Sequence, residues 1–181
     1  MIKKIFLSLL VILNIIFVLY LIAPTPELKE LPNSAKSNLP GDTVQLKNVT
    51  GYYTNLSRTE VMNFYQSIYS FPFLIRLNHP PEKAKEIFRD TMQSYYIEEF
   101  IIPFKESIFI NGFEWEKDVF TKPDKRIKNK LIYNDITYPS KINTKIYYTN
   151  VYTRLIAFFI TEIGLYLIFL SIRKFNKKNV K

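Results

Sequence analysis

Residues 5–22 read IFLSLLVILNIIFVLYLI and contain no charged side chain. As a helix this run rises about 27 Å, close to the ~30 Å hydrocarbon core of a bilayer. Residues 155–172, LIAFFITEIGLYLIFLSI, form a second run of the same length with one charge, Glu162. The two runs predict two transmembrane helices. A cleaved signal peptide is the alternative for the first run, but its apolar stretch exceeds the usual ~7–15 residues and no A-x-A site follows.

Basic residues flank both runs. The ends 1–4 and 173–181 together carry seven basic and no acidic side chains, whereas residues 24–153 carry 17 basic and 15 acidic ones. The positive-inside rule therefore predicts that both termini are cytoplasmic and that residues 24–153 are extracytoplasmic. The formal net charge of +9 is thus a signature of topology, and the sequence predicts no nucleic-acid partner.

The composition of the 181-residue chain excludes several kinds of site. It has no cysteine for a disulfide or a thiolate metal site, a single histidine, and four glycines that form no phosphate-binding loop. The sequence therefore predicts no cofactor and no metal. Its bias towards Ile, Lys, Asn, Tyr and Phe is typical of AT-rich coding, which favours a bacterial cell membrane as the location.

The region between the two runs divides into a linker and a domain. Residues 23–43 contain four prolines and scattered polar residues, a composition typical of an extended linker. Residues 44–150 are then expected to fold as one extracytoplasmic domain. Ser57 and Glu60 have the spacing of a capping box, which predicts a helix to about Tyr69.

Further elements follow along the domain. The prolines at 80 and 81 predict the start of a second helix, 81–99. The segment SIFINGFEWEK, 107–117, predicts a hairpin with Asn111-Gly112 at its turn. That pairing would place Ile108 and Trp115 on one buried face and Glu114 towards water.

Strands are also expected at 73–77, 130–138 and 142–149, with a turn at Asn134-Asp135. Because helices come first and strands later, the sequence predicts an α+β domain with two helices and a small, mainly antiparallel sheet, flanked by two transmembrane α-helices.

Asn14 and Glu162 are the candidate intramembrane polar residues. In an antiparallel helix pair they fall at nearly equal depth, since Asn14 lies nine residues from Ile5 and Glu162 ten from Ile172. A carboxylate in a spanning helix is costly and usually faces protein or water. Two alternatives follow: a protonated Glu162 hydrogen-bonds to Asn14, or Glu162 faces another subunit.

A basic run after the predicted hairpin is the candidate surface for an anionic partner. Phospholipid headgroups or an anionic wall polymer fit such a run, and an exposed loop explains it more simply. Its members are Lys122, Lys125, Arg126, Lys128 and Lys130.

Carboxylates and the one histidine are the candidates for catalysis. Two facing carboxylates hydrolyse glycosidic bonds, but no spacing motif selects a pair here, and a solvated surface explains them. His79 is a possible general base near Glu82, or a residue that shapes the turn before the two prolines. The sequence therefore assigns no catalytic residue. The six carboxylates are Glu98, Glu99, Glu106, Glu114, Glu116 and Asp118.

Three functions are consistent with these patterns. The first is a membrane-anchored, non-enzymatic interaction or accessory subunit of a cell-envelope complex, which contacts the bilayer and another membrane protein or a second copy of itself. The alternative is a membrane-anchored hydrolase that cleaves wall or lipid-linked polymer through paired carboxylates. The third is an accessory subunit of a transporter that uses Glu162.

Overall fold

A computed structural model describes residues 2–43, 47–69, 74–83, 86–87 and 95–179 of the chain. The chain divides into two units, one formed by Met1–Pro24 with Thr149–Lys181 and the other by Thr25–Tyr148. We call them the helix pair and the sheet domain. The elements in chain order are α1 (Ile2–Ile22), β1 (Ser34–Lys36), α2 (Pro40–Thr43), β2 (Val49–Thr54), α3 (Arg58–Ile68), β3 (Ile75–His79), β4 (Tyr96–Ile102), β5 (Glu106–Glu114), β6 (Leu131–Tyr133), β7 (Ile136–Tyr138), β8 (Ser140–Tyr148) and α4 (Val151–Asn179), with 3₁₀ helices at Pro81–Lys83, Trp115–Lys117 and Pro123–Asn129.

The helix pair consists of α1 and α4. Both helices are long and apolar enough to cross a membrane, over Lys4–Ile22 in α1 and Val151–Phe175 in α4. The two apolar runs of the sequence lie inside these segments. Their long apolar side chains are mostly exposed, which is the pattern of a surface that lipid covers.

The sheet domain is α+β, with a six-stranded antiparallel sheet in the order β1-β2-β8-β5-β4-β3. This confirms the predicted class and the antiparallel sheet. Strand β8, the last in the chain, lies between β2 and β5. Strands β6 and β7 form a separate two-stranded ribbon, joined at the predicted turn, where Asn134 and Asp135 both have positive φ.

Helix α3 covers one face of the sheet. The capping box at its start is present, since Ser57 N–H donates to Glu60 Oε2 over 2.8 Å and the Ser57 side chain accepts from Glu60 N–H. Val61 and Tyr65 of α3 are fully buried in the domain core. Sheet residues of that core include Tyr52, Tyr96, Phe100, Ile102, Ile108, Ile110 and Ile142.

The predicted hairpin at Asn111-Gly112 is wrong. Strand β5 runs straight through these two residues and pairs with β4 on one side and β8 on the other. A Cβ at Gly112 would lie 2.1 Å from Cζ of Tyr96, so this glycine makes room for an aromatic ring on the neighbouring strand. The turn lies instead between β4 and β5, where Phe104 has a φ of 63°.

The pairing expected from that hairpin changes as well. Ile108 is buried as predicted, but its partners across the sheet are Phe100 and Ile146. Trp115 lies beyond the end of β5 and is only half-buried. Glu114 is also half-buried, with an ion pair of 2.6 Å to Lys117.

The second predicted helix, 81–99, is not confirmed. Residues 81–83 form a single 3₁₀ turn, residues 86–87 are α-helical, and residues 84–85 and 88–94 lie outside the described residues. From Tyr96 the chain is strand β4, which is paired on both sides. The expected helical end at Tyr95–Glu99 is therefore wrong, because hydrogen bonds to two neighbouring strands outweigh a short helical pattern.

The segment 23–43, expected as a linker, contributes to the sheet domain. Residues 34–36 form the edge strand β1, which pairs with β2. Leu31 is buried against the core. The short helix α2 follows, and its Asp42 forms a 2.7 Å ion pair with Lys141 of β8. Tertiary contacts thus order a proline-rich stretch that local composition alone assigns to a linker.

Candidate functional site

The candidate site with the clearest geometry lies between α1 and α4 inside the helix pair. On α1 the half-buried or buried residues Asn14, Phe17 and Leu21 recur at helical spacing and face α4. On α4 the corresponding residues are Arg154, Phe158 and Glu162, four apart along one stripe. The sequence thus forms two facing stripes, each of which carries one polar residue near the middle of its helix.

Contacts between the two helices fix their register. The rings of Phe17 and Phe158 have centroids 5.5 Å apart. Near the other end of the contact, Arg154 Nη1 donates to the backbone carbonyl of Leu21 over 3.2 Å. Arginine is long enough to reach such a carbonyl while its stem covers apolar surface.

Beyond the Phe17–Phe158 contact, an open-sided cavity of about 410 Å³ lies between the helices. Asn14 and Glu162 both line it, so the two intramembrane polar candidates share one cavity. The other lining residues are Ile15, Val18, Leu19, Phe158 and Phe159. Asn14 and Glu162 are thus the two polar groups in an otherwise apolar lining.

The hydrogen bonds of Asn14 and Glu162 differ. Asn14 Nδ2 donates to the carbonyl of Leu10 in its own helix over 3.0 Å. Within the described part of the chain, Glu162 has neither an ion pair nor a hydrogen bond, and no bond joins it to Asn14. The hydrogen bond between Asn14 and Glu162 therefore stays a prediction.

The basic run of the sequence lies in the sheet domain, on the 3₁₀ helix Pro123–Asn129 and its two flanking residues. Its four lysines are exposed, whereas Arg126 is half-buried and bonded to neighbouring backbone. Arg126 Nη1 donates to the carbonyl of Glu116 over 2.8 Å, and its Nε to that of Thr121 over 3.2 Å. Four of the five predicted anion-binding residues are thus available at the surface.

Glu98, one of the catalytic candidates, is buried by two arginines. It is 1% exposed, and Arg58 donates to Oε1 from Nε over 2.9 Å and from Nη2 over 2.6 Å. Arg76 Nε donates to Oε2. Burial alone would raise the pKa of Glu98, but the hydrogen bonds from Arg76 and Arg58 outweigh it and hold this pKa below its ordinary value.

Other carboxylates also have partners in the domain. Glu99 accepts from Ser107 Oγ and lies 2.8 Å from His79 Nε2. Consecutive residues on a strand face opposite ways, so Glu98 and Glu99 cannot act on one substrate. His79 is therefore a strand residue bound to Glu99 and not to Glu82.

Asp118 organises the loop before the basic run. It accepts from Phe120 N–H and from Asn129 Nδ2, each over 2.9 Å. Burial would raise the pKa of Asp118, but these bonds, a bond from Thr121 and the charge of Arg126 together lower it. These partners are what a carboxylate with a structural role requires.

Sequence reasoning missed the two arginines around Glu98. They lie 40 and 22 residues before it, and only the pairing of β3 with β4 and the position of α3 bring them to it. No motif in the sequence marks that contact.

Comparison of the chain with protein-family models, with curated proteins and with solved structures finds no match. The function must therefore be argued from the site itself.

Proposed function

We propose that the protein is a two-pass membrane protein that serves as a non-enzymatic interaction or accessory subunit of a bacterial cell-envelope complex. In this proposal α1 and α4 cross the membrane with both termini cytoplasmic, and residues 24–153 are extracytoplasmic. The length and apolar character of both helices support the crossing. The seven basic residues at the two ends support the orientation.

One observation carries the proposal of a partner. Glu162 is half-buried in an apolar cavity and, among the described residues, lacks a hydrogen bond or an ion pair. A carboxylate at this depth of a spanning helix is costly unless a polar group, water or a cation approaches it. No hydrogen bond joins Glu162 to Asn14 among the described residues, where Asn14 Nδ2 donates to Leu10, so this proposal assigns the missing group to another membrane protein or a second copy of this chain.

The hydrolase alternative has less support in the sheet domain. Glu98, Glu99, Glu114 and Asp118 each have close partners that neutralise or hold them. A glycosidase needs one carboxylic acid with a raised pKa beside a second free carboxylate, and Glu98 and Asp118 are shifted the opposite way.

Assembly after mild detergent extraction tests the role of Glu162. If Glu162 hydrogen-bonds to a neighbouring helix, Glu162→Gln should keep the complex, and Glu162→Leu should weaken it about 3- to 30-fold. If the partner supplies a cation, Glu162→Gln should be nearly as damaging as Glu162→Leu. Cross-linking in intact membranes followed by mass spectrometry identifies the partner that the variant no longer retains.

Thr161→Val is the matched control, because Thr161 is exposed and its hydroxyl donates to Ala157 within α4. It should leave assembly unchanged. If Glu162→Gln and Glu162→Leu both assemble like the parent, the proposed role of Glu162 is wrong.

The orientation is tested separately by labelling. The chain has no cysteine, so single cysteines at Lys29 and Thr137, both exposed, should react with an impermeant thiol reagent in whole cells. A cysteine at Asn179 should not react. Labelling of Asn179→Cys alone would reverse the proposed topology.

A further inference from the structure

The basic run has a regular geometry that its sequence alone does not show. In a 3₁₀ helix three residues make one turn, so residues three apart lie on one side, about 6 Å apart along the axis. Over Pro123–Asn129 and its flanks this produces three rows. Two rows are exposed, and in the third row Pro123 is exposed whereas the next two residues are turned inward. The exposed rows are Lys122, Lys125, Lys128 and Asp124, Ile127, Lys130, and the inward row contains Arg126 and Asn129.

The inward row holds this segment in place. Arg126 donates to the carbonyl of Glu116, and Asn129 donates to the buried carboxylate of Asp118. Runs of 3₁₀ helix longer than 3–4 residues are uncommon, and these side-chain bonds account for a seven-residue example. The four lysines are thus presented on a fixed support, which lowers the entropy lost when they bind.

Large apolar side chains are exposed next to these lysines. Ile127, within the segment, is 60% exposed, and Val119 and Phe120, just before it, are 60% and 52% exposed. Phe120 is fixed near the segment by the bond from its N–H to Asp118. An apolar group of this size beside a row of cations is the composition of surfaces that bind at the boundary of headgroups and acyl chains.

We propose that this segment, 119–130, binds the headgroups of anionic phospholipids, with Ile127 and Phe120 at the boundary of the acyl chains. Lysines near an anionic bilayer are attracted to its surface potential. A soluble anionic polymer would pair with the lysines but would leave the three apolar side chains in water, so lipid fits the whole surface better. The chain ends of the sheet domain continue directly into α1 and α4, which keeps the segment at a high effective concentration near a bilayer.

The inference rests on the proposed membrane anchoring, and the test separates the two. The full chain is reconstituted into nanodiscs of phosphatidylcholine alone or of an equal mixture with phosphatidylglycerol. An environment-sensitive fluorophore is attached to Ile127→Cys, the single cysteine of that variant. Copurification with the disc reports anchoring, whereas a blue shift with protection from acrylamide reports contact of the segment with lipid.

We expect the blue shift only in discs with phosphatidylglycerol, and we expect it to fade at high salt. The same label on Asn63→Cys, exposed on α3, should not shift. Replacing Lys122, Lys125 and Lys128 by Gln should lower the ratio of bound to free segment about a hundredfold. Replacing Lys29, Lys47 and Lys83, which are also exposed, removes the same charge and should have little effect.

Three results would overturn the proposal. The first is an equal signal in both kinds of disc. The second is an equal loss of signal in the two triple-lysine variants. The third is a shift that appears in phosphatidylcholine discs on addition of soluble polyphosphate but not with phosphatidylglycerol, which would assign the surface to soluble polyanions.

Discussion

Glu98 in the sheet domain and Glu162 in the helix pair both lie among apolar side chains. Glu98 is nearly inaccessible, and two arginines from α3 and β3 donate to its two oxygens. Glu162 is half-buried in a cavity and, among the described residues, lacks any such donor. The sheet domain therefore satisfies the buried carboxylate of Glu98 internally, whereas the proposed function assigns the partner of Glu162 to a group from outside the helix pair.

Under the proposed function, Glu98 has a structural role and Glu162 has a role in interaction. A buried charge whose partners belong to the same domain has little left with which to bind, and removing one partner is costly because it leaves the other charges uncompensated. A charge that lacks partners in an apolar setting is costly, so the binding of a polar or cationic group at that position lowers the free energy. The following substitutions test whether the two regions differ in this way.

The largest effect is expected at Glu98. Glu98→Ala leaves two arginines facing each other without their anion, at a cost of about 3 kcal/mol, the low end for a broken buried pair because both guanidinium groups are partly exposed. Denaturant unfolding followed by the fluorescence of Trp115, the one tryptophan, measures this cost. Glu116→Ala, at an exposed carboxylate, and Glu162→Ala should leave that transition within about 0.5 kcal/mol of the parent. Equal losses at Glu98 and Glu116 would contradict the internal role of Glu98.

Two glycines provide the next comparison. A Cβ at Gly112 would collide with the buried ring of Tyr96, whereas a Cβ at Gly164 in α4 would have no neighbour within 4 Å. Gly112→Ala should therefore cost the sheet domain about 2 kcal/mol by overpacking. Gly164→Ala should stabilise α4 slightly, by up to ~1 kcal/mol, because alanine favours helix. Thermal unfolding followed by circular dichroism of both variants measures the difference, and a cost at Gly164 would indicate an additional contact there.

The two helix caps should differ less. Ser57 caps α3, and the side chain of Asn150 accepts from Tyr152 N–H at the start of α4. Ser57→Ala should cost the sheet domain about 1 kcal/mol. Asn150→Ala removes a similar bond from α4 and should leave the Trp115 transition unchanged. A comparable shift from both would mean that the two units unfold together.

Acid should produce the most gradual effect. Arg76 and Arg58 hold the pKa of Glu98 in the folded state below the ordinary 4.5. The stability that this ion pair contributes to the fold is therefore fully present above pH 4.5 and is lost as the pH falls through the folded pKa. The parent should therefore lose stability on acidification below this value. For Glu98→Gln, the free energy of unfolding should depend less steeply on pH in the acid range. The contribution of Asp118, whose pKa is also lowered, remains in both the parent and the variant. Parallel pH profiles would argue against the ion pair as the source.

The sequence predicted those features that local chemistry determines. The cap of α3 needs only Ser57 and Glu60, three residues apart, and the turn at Asn134-Asp135 needs only two residues that tolerate positive φ. The pair Asn111-Gly112 looks like such a turn, but Tyr96 on a neighbouring strand decides its role. That contact depends on sheet register, which a single sequence does not reveal.

The same distinction applies to the candidate site. Helix rise alone is enough to count Asn14 and Glu162 to similar depths, and the structure places both on one cavity. The triad of Arg58, Arg76 and Glu98 joins three elements far apart in sequence, so no count along the chain could find it. The exposed rows of the basic run likewise depend on a 3₁₀ geometry that composition does not specify.

The position of β8 also has a consequence for the order of folding. Strand β2 and strand β5 have no contact in the sheet until Ser140–Tyr148 is inserted between them, and the pair Thr54–Ser140 spans 86 residues. Such long-range closure slows folding. During synthesis, β1, β2 and α3 must wait for nearly the whole domain to follow, and α4 begins at Val151, immediately after that strand. The domain is therefore expected to complete its sheet only as the second apolar helix emerges, so a chain that ends before residue 140 should remain open and prone to aggregation.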